Sequence, residues 1–274
     1  CIGMNHREIK KMESDFNILT MVGAYSVNKL SQEFNPNFIT RNLFSFFFFI
    51  QELSRFFNTG GFFELNGGNK FIKNLLKRKI GNPDLTFRQL YFLANIFPNR
   101  FKNLYVTGTL LDVSSISYKE KVFSYITTPD MKIVDALDIT VRFPLFFAPK
   151  KVNINGKLYC WVDGGVARNI PVNNFNPEKT LVACFKRSKQ VYFIDPKLFI
   201  LRYLYAIFRA REQLEVSTIH MLYKNLVFID PLNISVLQNA PEDQIPSLMA
   251  NTYKSIVEQL SSLNLIKCDS NLLK

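Results

Sequence analysis

Apolar residues recur at intervals of three and four along the N-terminal third of the chain, which is the spacing of amphipathic helices. This pattern predicts helices at Glu8–Leu30, Asn42–Phe57, Lys70–Lys79 and Phe87–Phe97. Gly60 and Gly81 follow the second and third of these helices, and glycine readily takes the left-handed conformation that ends a helix. A turn is predicted at Asn66-Gly67-Gly68-Asn69, and Thr86 is the predicted N-cap of the fourth helix.

Further along the chain, the pattern changes to short runs rich in β-branched and aromatic residues. Two such runs, Leu104–Leu111 and Lys121–Ile126, flank the serine-rich turn Asp112–Ser117 and are predicted to be adjacent strands. Asn155-Gly156 is the strongest short-range turn signal in the chain and predicts a hairpin. The second strand of this hairpin includes Leu158–Val162.

The C-terminal half combines short apolar runs with helical patterns. Leu181–Phe185, an apolar run between polar flanks, has the form of a buried parallel strand. The other predicted elements are a helix from Thr127 through Val141 that Pro144 ends, a helix from Asp195 to about Glu215, a strand at Leu226–Ile229 and a helix at Pro246–Leu260. Strands interleaved with helices predict an α/β sheet packed between helices. The length, with no internal repeat, predicts a single domain over residues 1–274.

The composition is that of an ordinary globular protein, because 47% of the 274 residues are hydrophobic and can bury one sizeable core. The four cysteines show no CxxC spacing, and Cys160 and Cys184 lie in apolar runs where a thiol serves as a small hydrophobe. A reducing, cytoplasmic compartment is therefore expected. The two histidines, His6 and His220, are predicted to be exposed or in loops. They leave a His/Cys metal site almost without ligands, so neither a metal nor a cofactor is expected.

The chain is basic, with a net charge of +12. Such a charge attracts anionic lipid or nucleic acid. Alternatively, the joint excess of lysine, asparagine, phenylalanine and isoleucine reflects AT-rich coding and has no functional cause. Nucleic acid is not expected as a partner. No stretch reaches the ~18 uncharged apolar residues needed to span a bilayer, so the protein is expected to be soluble or peripheral to membranes.

Sequence motifs for catalysis are few. The Gly-x-Ser-x-Gly pentad of a nucleophile elbow occurs nowhere in the chain, and a Walker loop and a Gly-x-Gly-x-x-Gly fingerprint are also absent. Asp163-Gly164-Gly165 remains, directly after an apolar strand, where α/β sheets place their chemistry. Paired glycines let another backbone or a substrate approach closely. The same residues also suit an ordinary turn, so the motif alone does not decide its role.

Four blocks of the sequence follow the order and spacing of one protein family. The most specific is Tyr159–Val172, in which Asp163-Gly164-Gly165 is followed by Asn169-Ile170-Pro171. This block resembles the Asp-Gly-Gly/Ala block of patatin-like phospholipases, including its Asn-x-Pro. The other blocks, which resemble helices, a strand and a proline-rich loop of the same family, are Thr86–Tyr91, Leu104–Leu111 and Thr128–Pro149. The similarity covers most of residues 66–174.

The resemblance implies a patatin-like α/β sheet flanked by helices and a lipid acyl hydrolase of the phospholipase A type. In that family an aspartate acts directly as general base on a serine, and Asp163 is the position that matches the aspartate. The substrate would be a phospholipid or another acyl lipid. Because Cys1–Met12 resembles the segment after the serine elbow, the domain is expected to be incomplete at its N-terminus. The 274-residue chain alone is then expected to be inactive.

The sequence leaves two hypotheses open. In the helix before Pro144, the family usually has Arg-Ala-Ser where this chain has Asp138-Ile139-Thr140, which suggests relaxed or lost activity. Either the protein is an active hydrolase whose serine lies upstream of Cys1, or it is a catalytically inactive module that binds lipid or protein. Asp112 and Asp138 are predicted to be turn and surface carboxylates.

Two segments suggest contact with lipid. The helix that begins at Asp195-Pro196 is apolar nearly all round, so it is either an interfacial helix on an anionic membrane or a buried core helix. Its basic residues are Lys197, Arg202, Arg209 and Arg211. The phenylalanine-rich run Phe44–Phe57 is likewise either core or a lid that faces lipid.

Overall fold

A computed structural model of the chain describes residues 54, 56–63, 65–185, 199–229 and 245–265. Its contacts divide the chain into two compact units, Cys1–Arg168 and Asn169–Lys274. The single domain expected from the sequence stays a prediction. His6, the predicted helix Glu8–Leu30 and most of the phenylalanine-rich run lie outside the described residues.

Strands and helices alternate through the described part of the first unit. In chain order they are β1 (Gly61–Phe63), α1 (Asn66–Ile80), α2 (Phe87–Ile96), β2 (Val106–Asp112), β3 (Ser117–Phe123), α3 (Ile133–Thr140), β4 (Leu145–Phe147), β5 (Lys150–Ile154), β6 (Lys157–Asp163) and α4 (Gly164–Ala167). Four strands form an antiparallel sheet in the order β3-β2-β6-β5, and β1 pairs with β4 in parallel. The mixed α/β class, with a sheet flanked by helices, is confirmed.

Both predicted turns of this sheet are present. Asp112 pairs with Ser117 across the β2–β3 turn, where the Asp112 carboxylate accepts hydrogen bonds from the backbone N–H groups of Ser114 and Ser115. The prediction of Asp112 as a turn carboxylate is thereby confirmed. Asn155 and Gly156 take φ values of 54° and 78° between β5 and β6, as a tight hairpin turn requires.

The helix ends show where local signals succeeded and where they failed. Gly81, with φ of 80°, ends α1 as predicted, and Thr86 with Gln89 forms a reciprocal capping box at the start of α2. The predicted turn at residues 66–69 is wrong, because these residues form the first turn of α1. Backbone N–H groups in a first helical turn need no partner within the helix, so turn-forming residues are tolerated there.

Helix α3 begins at Ile133, later than the predicted start at Thr127. The side chain of Thr127 bonds instead to Ser124 and to the carbonyl of Val122, in a turn that follows β3. The N–H of Ile133 donates to the carbonyl of Leu85, which joins the start of α3 to the segment before α2.

The helices α1, α2 and α3 share one core with β2 and β3. Its fully buried members are Leu76, Leu85, Phe87, Leu90, Ala94, Phe101, Val106, Phe123, Ile133, Ala136 and Ile139. This core contacts Trp161 of β6, so it lies beneath the strand that ends at Asp163.

The second unit has a smaller sheet. Its described elements are β7 (Val182–Phe185), α5 (Phe199–Leu222), β8 (Leu226–Ile229) and α6 (Ile245–Ser262). Strands β7 and β8 pair in parallel, which confirms the parallel strand predicted at residues 181–185. Val182 and Cys184 are buried and alternate with exposed Ala183 and Phe185, so one face of β7 carries the core.

Helix α5 confirms the helix predicted in this region and extends it to Leu222, while Asp195-Pro196 lies outside the described residues. His220 is exposed, as predicted. Among the described helices, none is long and apolar enough to cross a membrane. The interfacial role suggested for this helix stays a prediction.

Candidate functional site

Asp163 is the last residue of β6 and the N-cap of the short helix α4. Its Oδ1 accepts a hydrogen bond of 2.7 Å from the backbone N–H of Gly165. In the described part of the chain, this is the hydrogen bond that orients the carboxyl group, and Oδ2 accepts none. The predicted position of Asp163 at the end of a strand is confirmed.

Burial raises the pKa of the Asp163 carboxyl above its ordinary value, and the hydrogen bond from Gly165 offsets only part of this effect. Within the described residues, no basic side chain forms an ion pair with it. Desolvation without a neighbouring cation makes a carboxylate a stronger base than an exposed one. The environment therefore suits a group that takes up a proton during a reaction.

Thr109 of β2 connects the backbone on both sides of the turn that follows Asp163. Its hydroxyl is fully buried, donates to the carbonyl of Asp163 over 2.8 Å and accepts from the N–H of Ala167 over 3.0 Å. One side chain thereby satisfies a buried carbonyl and a buried N–H. The sequence pattern did not single out Thr109.

Gly164 explains the need for glycine after Asp163. A Cβ at this position would lie 2.3 Å from Oγ1 and 2.6 Å from the carbonyl oxygen of Thr107, so any side chain would collide with β2. Gly108, the register partner of Asp163 on β2, is equally restricted, since a Cβ there would lie 2.8 Å from Ile139 and from Phe123. Gly164 thus permits the backbone after Asp163 to lie against β2, while Gly108 leaves room for the side chains of Ile139 and Phe123.

A buried ion pair lies directly behind Asp163. The N–H of Asp163 donates to the carbonyl of Arg142 over 3.0 Å. The guanidinium of Arg142 donates to both oxygens of Asp138, at 2.9 and 3.0 Å, and also to the carbonyl of Ala148. Lys150 adds a second cation 3.5 Å from Asp138. Arg142 thus couples the end of β6 to α3 and to the loop before β5.

The prediction of Asp138 as a surface carboxylate is wrong, because its side chain is only 2% exposed. Burial is possible since Arg142 and Lys150 neutralise its charge. The spacing of four residues between Asp138 and Arg142 is the one local signal from which this pair could have been found, although Arg142 lies beyond the end of α3.

The residues that follow Asp163 form hydrogen bonds within the first unit and within the second. Arg168, which follows α4, donates from Nε to Glu120 of β3 over 2.9 Å within the first unit. Within the second unit, the backbone N–H groups of Asn169 and Ile170 both donate to the carboxylate of Glu215, each over 3.0 Å. The Asn-x-Pro segment therefore bonds through its backbone. Among the described residues, no group of three or more His, Cys, Asp or Glu side chains is arranged to hold a metal ion.

Comparison with known proteins gives a match to one family. The sequence pattern of the Patatin-like phospholipase family matches residues 18–175, more than half of the chain. A probable lipid hydrolase, 463L, of Invertebrate iridescent virus 6 is 31% identical over 119 residues, which are 42% of this chain and 35% of that protein. The chain thus spans about a third of the length of this curated relative. The solved structure of VipD from Legionella pneumophila has a TM-score of 0.41 at 20% identity, over 92% of this chain and 47% of VipD.

Proposed function

The chain belongs to the patatin-like phospholipase family, and from this premise we propose that it is a lipid acyl hydrolase in which Asp163 is the general base. The observation that carries this proposal is the Asp163 carboxyl group. The backbone N–H and carbonyl of Asp163 are both hydrogen-bonded, Oδ2 accepts no hydrogen bond from the described residues, and burial raises the pKa of the carboxyl group. It also lies within the segment that matches the family.

The proposed reaction uses a serine hydroxyl as nucleophile. The Asp163 carboxylate removes the hydroxyl proton through Oδ2 while the serine oxygen attacks the acyl carbonyl, and the hydrogen bond from Gly165 keeps Oδ1 in place. Collapse of the tetrahedral intermediate breaks the ester C–O bond, and the departing alcohol takes the proton from Asp163, which leaves an acyl-enzyme and an ionised carboxylate. The same carboxylate then takes a proton from the water that attacks the acyl-enzyme, and this proton passes to the serine oxygen as the fatty acid leaves. Since no Gly-x-Ser-x-Gly pentad occurs in the 274 residues, we propose that the serine lies upstream of Cys1.

The proposed substrate is a phospholipid or another acyl lipid, cleaved in the manner of a phospholipase A. The family description and the curated relative, a probable lipid hydrolase, support this class of substrate. We further propose that the protein is cytoplasmic and that it contacts an anionic membrane peripherally.

The buried Asp138 favours this function over a catalytically inactive module that binds lipid or protein. The family usually has arginine where this chain has Asp138. Without a cation beside it, the Asp138 carboxylate would be an uncompensated negative charge near the site. Arg142 and Lys150 instead neutralise the carboxylate and bond it into the structure. The substitution is thus accommodated within the fold, where Arg142 links Asp138 to the backbone of Asp163.

The test is hydrolysis by the protein that includes the sequence encoded upstream of Cys1, measured as fatty acid released from phosphatidylcholine vesicles and from a short acyl ester. Asp163→Asn retains an acceptor for Gly165 but removes the base, so turnover should fall by roughly 10²- to 10⁴-fold. Asp112→Asn is the matched control. Its carboxylate lies in a hydrogen-bonded turn at the other end of β2, and turnover should not change.

Labelling by a fluorophosphonate, which reacts with activated serines, separates the two hypotheses. A hydrolase is labelled on one serine, and more slowly after Asp163→Asn. An unlabelled, inactive protein would instead indicate the binding module. The 274-residue chain alone should show no turnover. If it did, and Asp163→Asn abolished that turnover, the nucleophile would be a serine within the chain.

A further inference from the structure

The outer face of α2 exposes a group of large apolar side chains. Phe92, Ile96 and Phe97 are 55%, 66% and 53% exposed. Phe92 and Ile96 are four residues apart and therefore lie on one face of the helix, and Phe97 is its C-cap. We call these three residues the α2 surface. The opposite face of the helix enters the core through Phe87 and Leu90.

The α2 surface lies at the end of the sheet that carries Asp163. The segment after α2 leads into β2 at Val106, and Gly108, two residues further on, pairs with Asp163. Strand β3 ends at the same end of the sheet, because Phe123 pairs with Val106. The hairpin turns at Asp112–Ser117 and Asn155–Gly156 lie at the opposite end of the strands.

The turn after β3 extends the apolar surface. Tyr125 stacks on Tyr91 of α2 with ring centroids 4.3 Å apart, and Ile126, the next residue, is 65% exposed. Aromatic rings with polar tips and exposed aliphatic side chains are thus neighbours at this edge. Tyrosine and phenylalanine are favoured where a protein contacts the boundary between lipid headgroups and acyl chains.

The charged side chains of the segment that contains α2 are all basic. From Leu85 to Leu111 the chain contains Arg88, Arg100 and Lys102 and no aspartate or glutamate. Arg88 pairs with Asp130, while the guanidinium of Arg100 lies 5.2 Å from the ring centroid of Phe101. The ring of Phe101 in turn lies 6.4 Å, between centroids, from the ring of Phe97, so this contact places the Arg100 cation beside the α2 surface.

We propose that the α2 surface binds the face of an anionic phospholipid bilayer, with Ile126 beside it and with Arg100 and Lys102 against the headgroups. This inference rests on the proposed function, since it turns the Asp163 end of the sheet toward the lipid that is hydrolysed. Apolar side chains that enter the headgroup boundary and cations that meet anionic lipid stabilise such binding together.

The experiment measures co-sedimentation of the 274-residue chain with phosphatidylcholine vesicles that contain or lack phosphatidylserine. Phe92→Gln with Ile96→Gln should weaken binding by roughly tenfold or more. Arg100→Ala with Lys102→Ala should weaken binding by roughly tenfold on vesicles with phosphatidylserine and much less on those without it. All four positions are exposed, and thermal unfolding verifies that the variants remain folded.

The matched control is Val113→Gln with Ile116→Gln. Val113 and Ile116 are 54% and 95% exposed and lie at the opposite end of the strands. This pair removes similar apolar surface and should leave binding unchanged. An equal loss in both pairs, or a wild-type chain that binds neither kind of vesicle, overturns the inference. Asp163→Asn should sediment like wild type. If vesicles bind through the α2 surface but the upstream-extended protein hydrolyses no lipid, the proposed function fails and this inference stands.

Discussion

The raised pKa of Asp163 has a consequence for stability. A carboxyl group whose pKa is higher in the folded chain than in the unfolded chain contributes stability below the unfolded pKa, and loses it as the pH rises through the folded pKa. Asp163 is of this kind, because burial raises its pKa above the ordinary 3.8. At a pH above the folded pKa, the ionised group therefore destabilises the fold.

Asp163→Asn should accordingly raise the melting temperature at pH 7, because asparagine is neutral and can still accept the hydrogen bond from Gly165. The difference from wild type should shrink as the pH falls and vanish below about pH 4, where both side chains are neutral. Thermal unfolding of both proteins across this pH range measures the effect. A lower melting temperature for the variant at pH 7 would contradict the assignment of a raised pKa.

The residues of the site differ in how far the sequence could identify them. Asp163 was identified from the paired glycines after an apolar strand together with the resemblance of the surrounding blocks to the patatin-like phospholipases, and all of these features can be seen in the linear sequence. Thr109 was not identified, because its hydrogen bond to Asp163 spans 54 positions. That bond depends on the register between β2 and β6, which local patterns do not determine.

At the scale of elements, turns and caps with local chemistry were predictable. Asn155-Gly156 takes the positive φ values of its turn, and Thr86 with Gln89 bonds as a capping box. The starts of α1 and α3 were not predictable in the same way. Helix α1 includes residues that usually form turns, and α3 begins where its backbone bonds to Leu85, far away in sequence. For α3, the boundary thus depends on a tertiary contact.

Two ion pairs allow a comparison of buried and exposed charges between elements. Asp138→Ala leaves Arg142 buried without its carboxylate and should cost about 3–5 kcal/mol of unfolding free energy. Asp130→Ala removes a bidentate partner of Arg88 on the exposed surface and should cost far less, because solvent screens this pair. Urea titrations of both variants provide the values. Equal losses would show that the Asp138 pair is not buried as described.

The fold class of the whole molecule was predictable from the sequence, whereas the arrangement of the strands was predictable only in part. Strands that alternate with helices predicted the mixed α/β architecture correctly. The two hairpins, β2–β3 and β5–β6, were predicted from their turns, but the pairing of β2 with β6 that joins them could not be derived, because it depends on packing across the whole sheet. The role of Arg142 was inaccessible for the same reason, since it requires the end of β6 to lie against the end of α3.

The two buried thiols can report whether the two units unfold together. Cys160 lies in β6 and Cys184 in β7, so each unit has one in its described part. Burial raises the pKa of Cys160, and a thiol reacts as its thiolate, so alkylation requires the sheet to open. Iodoacetamide labelling along a urea gradient, resolved by peptide mass spectrometry, follows each unit separately. A single domain over residues 1–274 exposes both thiols at one urea concentration, whereas two separate midpoints would mean that the units unfold independently.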